Sequence, residues 1–288
     1  MKKHISWGFD TRELDESIAP QDDFFHYVNR KWMDSNPVPA NESRWGSFTK
    51  LRYDTEQKLR AIVEELDKKR SVPAGTPERL IRDFYRCGMD MKRRNKFGLR
   101  PLDALRAQIA AISTIAGMQK VIADLHRIGV GVVWGAGIDQ DAKNSERYLL
   151  YIHQDGIGMP DRDYYIKDDA ESARVRTAYR AHTEKLFKLM GRASGQAAQD
   201  ADTVLRIETA LARAMMKKED ARDVEKTYFK TTVAKLSREA NHIDWPTYFT
   251  RTGAKDVREV IVMQPEFLLM VDKLLASVPL ADWKTYLE

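Results

Sequence analysis

Histidine spacing decides which metal chemistry this sequence can carry. Hydrolysis at a protein-bound zinc ion needs two imidazoles one helical turn apart, with a glutamate beside the first as base on metal-bound water. The chain has six histidines, no two within four residues of each other and none followed by glutamate: His4, His26, His126, His153, His182 and His242. The H-E-x-x-H motif is therefore absent. We predict no catalytic residue and no metal ligand in these 288 residues, and each histidine is interpreted as structural or exposed.

Other catalytic motifs are also absent. The sequence contains no G-x-S-x-G, no G-x-x-x-x-G-K and no C-x-x-C, and the glycines at 129, 131, 135 and 137 do not have the G-x-G-x-x-G spacing. The single cysteine, Cys87, excludes an intrachain disulfide. It lies beside Phe84, Tyr85 and Met89 in an amphipathic pattern, which favours a small buried side chain over a nucleophile.

Arg44 is the first candidate for ligand binding. It stands between Ser43 and Trp45 at the start of a predicted helix. An arginine held there by packing could bind a carboxylate with two parallel hydrogen bonds. The alternative is a surface arginine stacked on Trp45, and spacing alone favours this second interpretation because most arginines are solvated.

The triplet Asp161-Arg162-Asp163 is the second candidate. Its carboxylates could act as acid and base. Alternating charges can instead pair locally, and the adjacent Tyr164 and Tyr165 indicate a packed corner, so the structural interpretation is favoured.

The elements that position these residues are mainly helices. Asp22 and Asp23 stand where an N-cap and a first-turn acid belong, and the apolar residues that follow them recur at helical spacing, which predicts a buried helix ending before Pro37. A second helix runs to about residue 69, and Thr76 with Pro77 predicts the start of a third. Further helices are predicted over 101–112, 118–128, 173–190 and 197–216, with a last one from 267.

One β-hairpin interrupts this pattern. Residues 130–138 and 147–153 are β-branched or aromatic runs separated by a polar turn. The predicted fold class is therefore mainly α, a multi-helix assembly with one short antiparallel β-hairpin at about 130–153. Residues 1–19 are predicted to be a polar N-terminal arm, and residues 20–288 a single helical region.

Composition excludes several classes of protein. Lysine and arginine number 48 against 43 acidic residues, which gives a net charge of +5 and a pI of about 9.1. These cations are dispersed among acids, so nucleic-acid binding is not expected. The N-terminal segment has no apolar run of about seven residues, which a signal peptide needs, and no segment approaches the roughly 20 apolar residues of a membrane span. The expected location is cytoplasmic, or exported with a leader removed, and the sequence does not choose between them.

Three segments carry a resemblance to a known family. Residues 22–52 read D-D-F-F-x-Y-V-N-x-x-W, then P-x-P, then S-R-W-G-S-F-x-x-L-R. Residues 154–165, Q-D-G-I-G-M-P-D-R-D-Y-Y, are the most specific match, and residues 222–228 match except that Phe229 follows where an asparagine is usual. Over about residues 10–287 the chain resembles the neprilysin and endothelin-converting-enzyme family of zinc metalloendopeptidases.

The resemblance implies specific roles. The chain would be the N-terminal part of an enzyme that hydrolyses oligopeptides and would form a wall of its substrate chamber. Arg44 would bind the carboxy-terminal side of the substrate, and Arg52 would line the same subsite. Zinc would be bound in the complete enzyme by a C-terminal catalytic half, the partner absent from these residues. By itself this chain is expected to bind no zinc and to be inactive.

The last helix also suggests a fragment. Relatives continue the segment 279–288, so an end there is expected to leave a helix without a C-cap and to expose Trp283, Tyr286 and Leu287. The alternative is a standalone, non-catalytic helical module that binds peptides or a partner protein.

Overall fold

A computed structural model of the protein describes residues 11–40, 42 and 44–288, so residues 1–10 of the predicted arm lie outside the described residues. The chain forms two compact units, 1–96 and 97–288. Its described part is mainly helical with one small sheet, which confirms the predicted fold class.

The first unit is built from helices. They are α1 (Phe24–Ser35), α2 (Ser47–Lys68), α3 (Pro77–Met89) and α4 (Met91–Phe97), which ends at the boundary, with a 3-10 turn at Thr11–Glu13 before them. The Asp23 carboxylate accepts a hydrogen bond from the His26 amide at 2.9 Å, and the Thr76 hydroxyl accepts one from the Arg79 amide at 3.3 Å. The predicted cap at Thr76 is confirmed, and the cap of α1 is Asp23, one residue after the predicted Asp22. Each cap satisfies an amide that has no partner within its helix.

Burial in the first unit differs from the prediction. The side chains of Phe24 and Phe25 on α1 are exposed, and so is Cys87 on α3. The predicted burial of the α1 apolar face and of the cysteine is therefore wrong. Helical spacing places apolar residues on one face, but burial also requires a second element to cover that face. Among the unit's described residues, only Leu66, Val72 and Arg82 are buried.

The second unit holds the remaining helices. They are α5 (Asp103–Ala110), α6 (Ile115–Arg127), α7 (Asp163–Ile166), α8 (Ala170–Leu189), α9 (Ser194–Ala214), α10 (Val224–Thr227), α11 (Val233–Glu239), α12 (Trp245–Thr252), α13 (Pro265–Ser277) and α14 (Leu280–Leu287). Two 3-10 turns, at Arg100–Leu102 and Asp220–Arg222, connect them. Within the described residues no helix is both long and apolar enough to cross a membrane.

The second unit also contains a mixed sheet. Strands β1 (Trp134–Asp141) and β2 (Asn144–Gln154) form the predicted antiparallel hairpin. Two further strands, β3 (Phe229–Thr232) and β4 (Glu259–Val262), complete the strand order β1-β2-β4-β3, in which β4 runs parallel to β2. The expectation that the hairpin is the only β structure is wrong. The strand β4 is short and largely buried, so its apolar run has no alternation to mark it.

Aromatic side chains fill the core of the second unit. Trp134, Trp245 and Trp283 are fully buried, and the Trp134 and Trp245 ring centroids are 5.9 Å apart. The expected exposure of Trp283 and Leu287 is wrong, because both side chains belong to this core, and Tyr286 is half-buried beside it. The Lys284 ammonium group also donates to the Ala110 carbonyl at 2.7 Å, which ties α14 to the end of α5.

Candidate functional site

Arg44 lies two residues before Gly46, the N-cap of α2, and its side chain is exposed. This exposure agrees with the surface arginine that spacing favours, and not with the alternative of an arginine held by packing. In the described part of the chain no carboxylate forms an ion pair with Arg44, whereas Arg52 has two such partners. Within this part of the chain, an anion that approached the Arg44 guanidinium would displace no carboxylate partner. Its neighbour Ser43 lies outside the described residues.

Tyr53 links the segments that carry the two candidate arginines. The rings of Trp45 and Tyr53 meet edge to face with centroids 5.2 Å apart. On the same tyrosine, the guanidinium carbon of Arg52 lies 4.9 Å from the ring centroid, within the range of a cation–π contact. The fold therefore brings the residue beside Arg44 and the side chain of Arg52 onto one aromatic ring.

Arg52 is held by two acidic side chains. Its guanidinium nitrogens lie 3.3 Å from a carboxylate oxygen of Glu42 and 3.1 Å from one of Glu56. Glu42 also accepts a hydrogen bond from the Tyr53 hydroxyl at 2.5 Å. The Arg52 side chain is 56% exposed, so these ion pairs are screened by solvent and contribute at most about 1 kcal/mol each. A ligand carboxylate could replace one of them at little cost.

Zinc does not fit the described residues. Among residues 11–40, 42 and 44–288 no group of three histidine, cysteine, aspartate or glutamate side chains is arranged to hold a metal ion. A structural or catalytic zinc site needs at least three protein ligands in tetrahedral geometry. No step of a reaction can therefore be assigned to a metal held by this part of the chain.

The segment 154–165 forms a packed loop in the second unit. Gly156 has φ of 88°, and a Cβ there would lie 2.5 Å from the Val133 amide nitrogen, so the turn requires glycine. Tyr165 is buried, which confirms the predicted packed corner.

The charged triplet in this loop does not pair with itself as predicted. Asp161 pairs with Lys218 at 3.2 Å and Asp163 with Lys167 at 2.7 Å. The Arg162 guanidinium donates to the Met215 carbonyl, across to the end of α9. The charges of the triplet therefore attach the loop to its surroundings.

Glu208 on α9 organises this loop, and the sequence interpretation missed it. Its buried carboxylate accepts hydrogen bonds from the Tyr165 and Tyr179 hydroxyls, each at 2.9 Å, and from the Gly158 amide at 3.0 Å. Burial raises the pKa of Glu208, while these three donors oppose that rise. A signal was present, because Glu208 is four residues after Val204 and three before Leu211, on the apolar face of its helix.

Comparisons with known proteins give a family match and similar relatives. Residues 20–288 match peptidase family M13, in its N-terminal region. The chain is 26% identical to mouse endothelin-converting enzyme-like 1 over 97% of its own length, and 29% identical to bovine endothelin-converting enzyme 1 over 92%.

A solved structure is also similar. The chain resembles the zinc metalloprotease Zmp1 of Mycobacterium tuberculosis, crystallised with an inhibitor, with a TM-score of 0.84 and 32% identity over 96% of the chain. The chain spans only 37% and 36% of the lengths of the two curated relatives and 42% of the Zmp1 chain.

Proposed function

The chain belongs to peptidase family M13, and we propose that it is the N-terminal portion of a zinc metalloendopeptidase that hydrolyses oligopeptides. The observation that carries this proposal is the match to the family over residues 20–288, supported by the structural similarity to Zmp1. The chain spans about a third of the length of its curated relatives, so in this proposal it forms one part of the complete enzyme.

In this proposal the chemistry belongs to residues outside these 288. The sequence has no H-E-x-x-H pair, and the described residues offer no three-ligand group. Zinc, when bound in the complete protein, would supply a Lewis acid and an activated water. The chain by itself is expected to bind no catalytic zinc and to cleave no peptide.

Substrate capture is the role proposed for Arg44 and Arg52. Arg44 is exposed and lacks an ion-pair partner among the described residues, which suits recognition of a substrate carboxylate by a planar guanidinium. Arg52 is held by Glu42 and Glu56 and lies on Tyr53, so it contributes a positioned cation whose charge is already partly compensated. We therefore expect Arg44 to contribute more to binding than Arg52.

Kinetics of the complete protein test these roles. Arg44→Gln should raise KM for peptides with a free carboxy terminus by about tenfold to a hundredfold, the value of a charge-assisted hydrogen bond, and should leave zinc content unchanged. Arg52→Gln should have a smaller effect. The matched control is Arg174→Gln, an exposed arginine in the second unit that pairs with Glu171.

A second comparison separates carboxylate recognition from general damage. With amidated peptides, the Arg44→Gln and unaltered proteins should have similar KM values. Parallel loss of zinc and of peptide binding, or equal losses for free and amidated peptides, would contradict the role of Arg44.

A binding module without catalysis is the second candidate. Exposed apolar side chains on α2 and α3, such as Phe48 and Phe84, favour a surface that another polypeptide covers. Zinc content and peptidase activity of the complete protein decide between the two candidates, since a module would show neither.

A further inference from the structure

A cavity of about 710 Å³ opens in the second unit, between the Arg162 loop, the end of α9 and the start of α13. Its lining includes the buried side chains of Met215, Gln264 and Phe267, and exposed residues lie around it. The volume falls within the roughly 300–1,000 Å³ of small-molecule sites. Neither candidate arginine of the first unit contributes to it.

Charge around the cavity is unbalanced. Arg162, Arg213 and Lys217 line it, and none of the three has an ion-pair partner among the residues that the structure describes. Two acids also line it. Asp220 is neutralised by Lys226 at 2.5 Å, which leaves Glu266 as the remaining acid. Cations therefore exceed acids, and the cavity is suited to an anion.

Two hydrogen-bond donors on residues that line the cavity lack protein acceptors in the described structure. The Gln264 side chain is 5% exposed, and its oxygen accepts the Gln154 amide at 2.9 Å, but its NH₂ group has no protein acceptor among the described residues. Arg162 donates one guanidinium nitrogen to Met215, while its buried Nε has no partner there. An anion oxygen in the cavity would supply the acceptor that the Gln264 NH₂ group lacks.

Apolar side chains complete the lining. Met215, Met216, Phe229, Pro265 and Phe267 all contribute, and Phe229 is 45% exposed. The cavity therefore combines anion recognition with a site for an apolar group. An inorganic anion would leave these apolar side chains without a partner.

We propose that this cavity binds the carboxy terminus of a peptide, with the carboxylate near Arg162, Arg213 and Gln264 and the last, apolar side chain against Phe229 and Phe267. The choice of a peptide rests on the proposed function, whereas the choice of an apolar carboxylate rests on the lining alone. The site belongs to the second unit and is additional to the arginines of the first.

Titration of the 288-residue chain without zinc tests the proposal. The probe is N-acetyl-phenylalanyl-leucine, compared with its carboxamide, and binding is followed by the amide NMR signals of Glu266, Phe267 and Met216. The free acid should bind at least about tenfold more tightly, because the amide removes a charge-assisted hydrogen bond. Equal affinity of acid and amide, or shifts confined to other residues, would overturn the proposal.

Two substitutions at exposed positions sharpen the test. Arg213→Gln should weaken binding of the acid by up to about tenfold while barely affecting the amide. Phe229→Asn should weaken both several-fold, since it removes apolar contact. Lys185→Gln, an exposed cation on α8 outside the cavity, is the matched control and should change nothing. Backbone spectra like those of the unaltered chain show that each variant is folded.

The last measurement is competition between the peptide and inorganic phosphate. Displacement of the peptide by phosphate at equal concentration would show that charge alone is recognised, and would overturn the apolar part of the proposal. The outcome is independent of catalysis. Binding here with no peptidase activity in the complete protein would remove the proposed function and keep the carboxylate site.

Discussion

The two units use the same helical periodicity with opposite results. On α3 in the first unit, the apolar side chains of Leu80 and Phe84 are 68% and 83% exposed. On α12 in the second unit, Trp245 and Phe249 are 0% and 2% exposed, and their rings stack with centroids 5.7 Å apart. Spacing tells which side chains share a face of a helix. Whether that face is buried depends on the element opposite it.

Polar groups differ between the units in the same way. The two candidate arginines of the first unit are exposed, so salt and solvent screen their interactions. The second unit buries Glu208 with three donors, and it holds His126 between the Tyr248 hydroxyl at 2.8 Å and the Val132 carbonyl at 2.9 Å. The candidate arginines of the first unit therefore interact weakly with their surroundings, whereas the buried polar groups of the second unit help to specify its packing.

The largest expected effect compares one phenylalanine from each unit. Phe249→Ala should lower the free energy of unfolding of the second unit by about 3–5 kcal/mol, since it leaves a cavity beside Trp245. Phe84→Ala, the matched change at an exposed site, should stay within about 0.5 kcal/mol. Urea unfolding followed by tryptophan fluorescence measures both. Similar losses for the two variants would mean that the exposed face of α3 is covered in solution.

The pH dependence of stability tests the burial of Glu208. Its pKa is raised by burial, so the folded state retains the proton to higher pH than the unfolded state. Stability contributed by this group is therefore lost as pH rises above the ordinary value of 4.5. We compare the free energy of unfolding of the unaltered chain with that of Glu208→Gln. The advantage of the unaltered chain should decrease as pH rises, by at most about 1.4 kcal/mol per pH unit.

A control with the opposite sign accompanies this measurement. Hydrogen bonding from Arg174 lowers the pKa of the exposed Glu171. The stability that Glu171 contributes is lost only as pH falls below the ordinary pKa of 4.5. The difference in free energy of unfolding between the unaltered chain and Glu171→Gln should therefore stay constant at higher pH. Burial lowers the pKa of His126, so the stability that this residue contributes is lost as pH falls below 6.5. His126 is present in both proteins of each comparison, so its contribution cancels in the difference. Parallel curves for the unaltered chain and Glu208→Gln would contradict the buried carboxylate.

The smallest effect on stability is expected at Cys87. Because this thiol is exposed, Cys87→Ser should change the free energy of unfolding by less than about 0.5 kcal/mol. In the folded chain the thiol should react with a maleimide reagent at nearly the rate seen in urea. Protection from labelling under native conditions would show that another surface covers α3.

Particular residues show how far prediction from the sequence reached. The cap at Thr76 was predictable, and the cap of α1 was predictable to within one residue, because a side-chain oxygen and an amide three residues later make a local hydrogen bond. The hairpin was predictable from two β-prone runs around a turn. Arg44 was a candidate from its position and Arg52 from the resemblance alone, and the roles of both stay predictions.

The errors share a physical cause. Whether Trp283 or Cys87 is buried depends on contacts with distant segments, and no residue within a few positions carries that information. The parallel pairing of β2 with β4 joins residues more than 100 positions apart, such as Leu150 and Val260. The resemblance to a known family does not say which residues of two distant strands pair with each other.

The sequence by itself determined the helical elements, the absence of an H-E-x-x-H pair and the resemblance to a peptidase family, because torsional preference and motif spacing act over a few residues. Only the tertiary structure decided which faces are buried, that Glu208 receives three donors, and that Arg162 and Gln264 line one cavity. Those outcomes depend on which surfaces pack together in the folded chain. Packing sets the burial of each group, the dielectric constant around it and the balance of nearby charges.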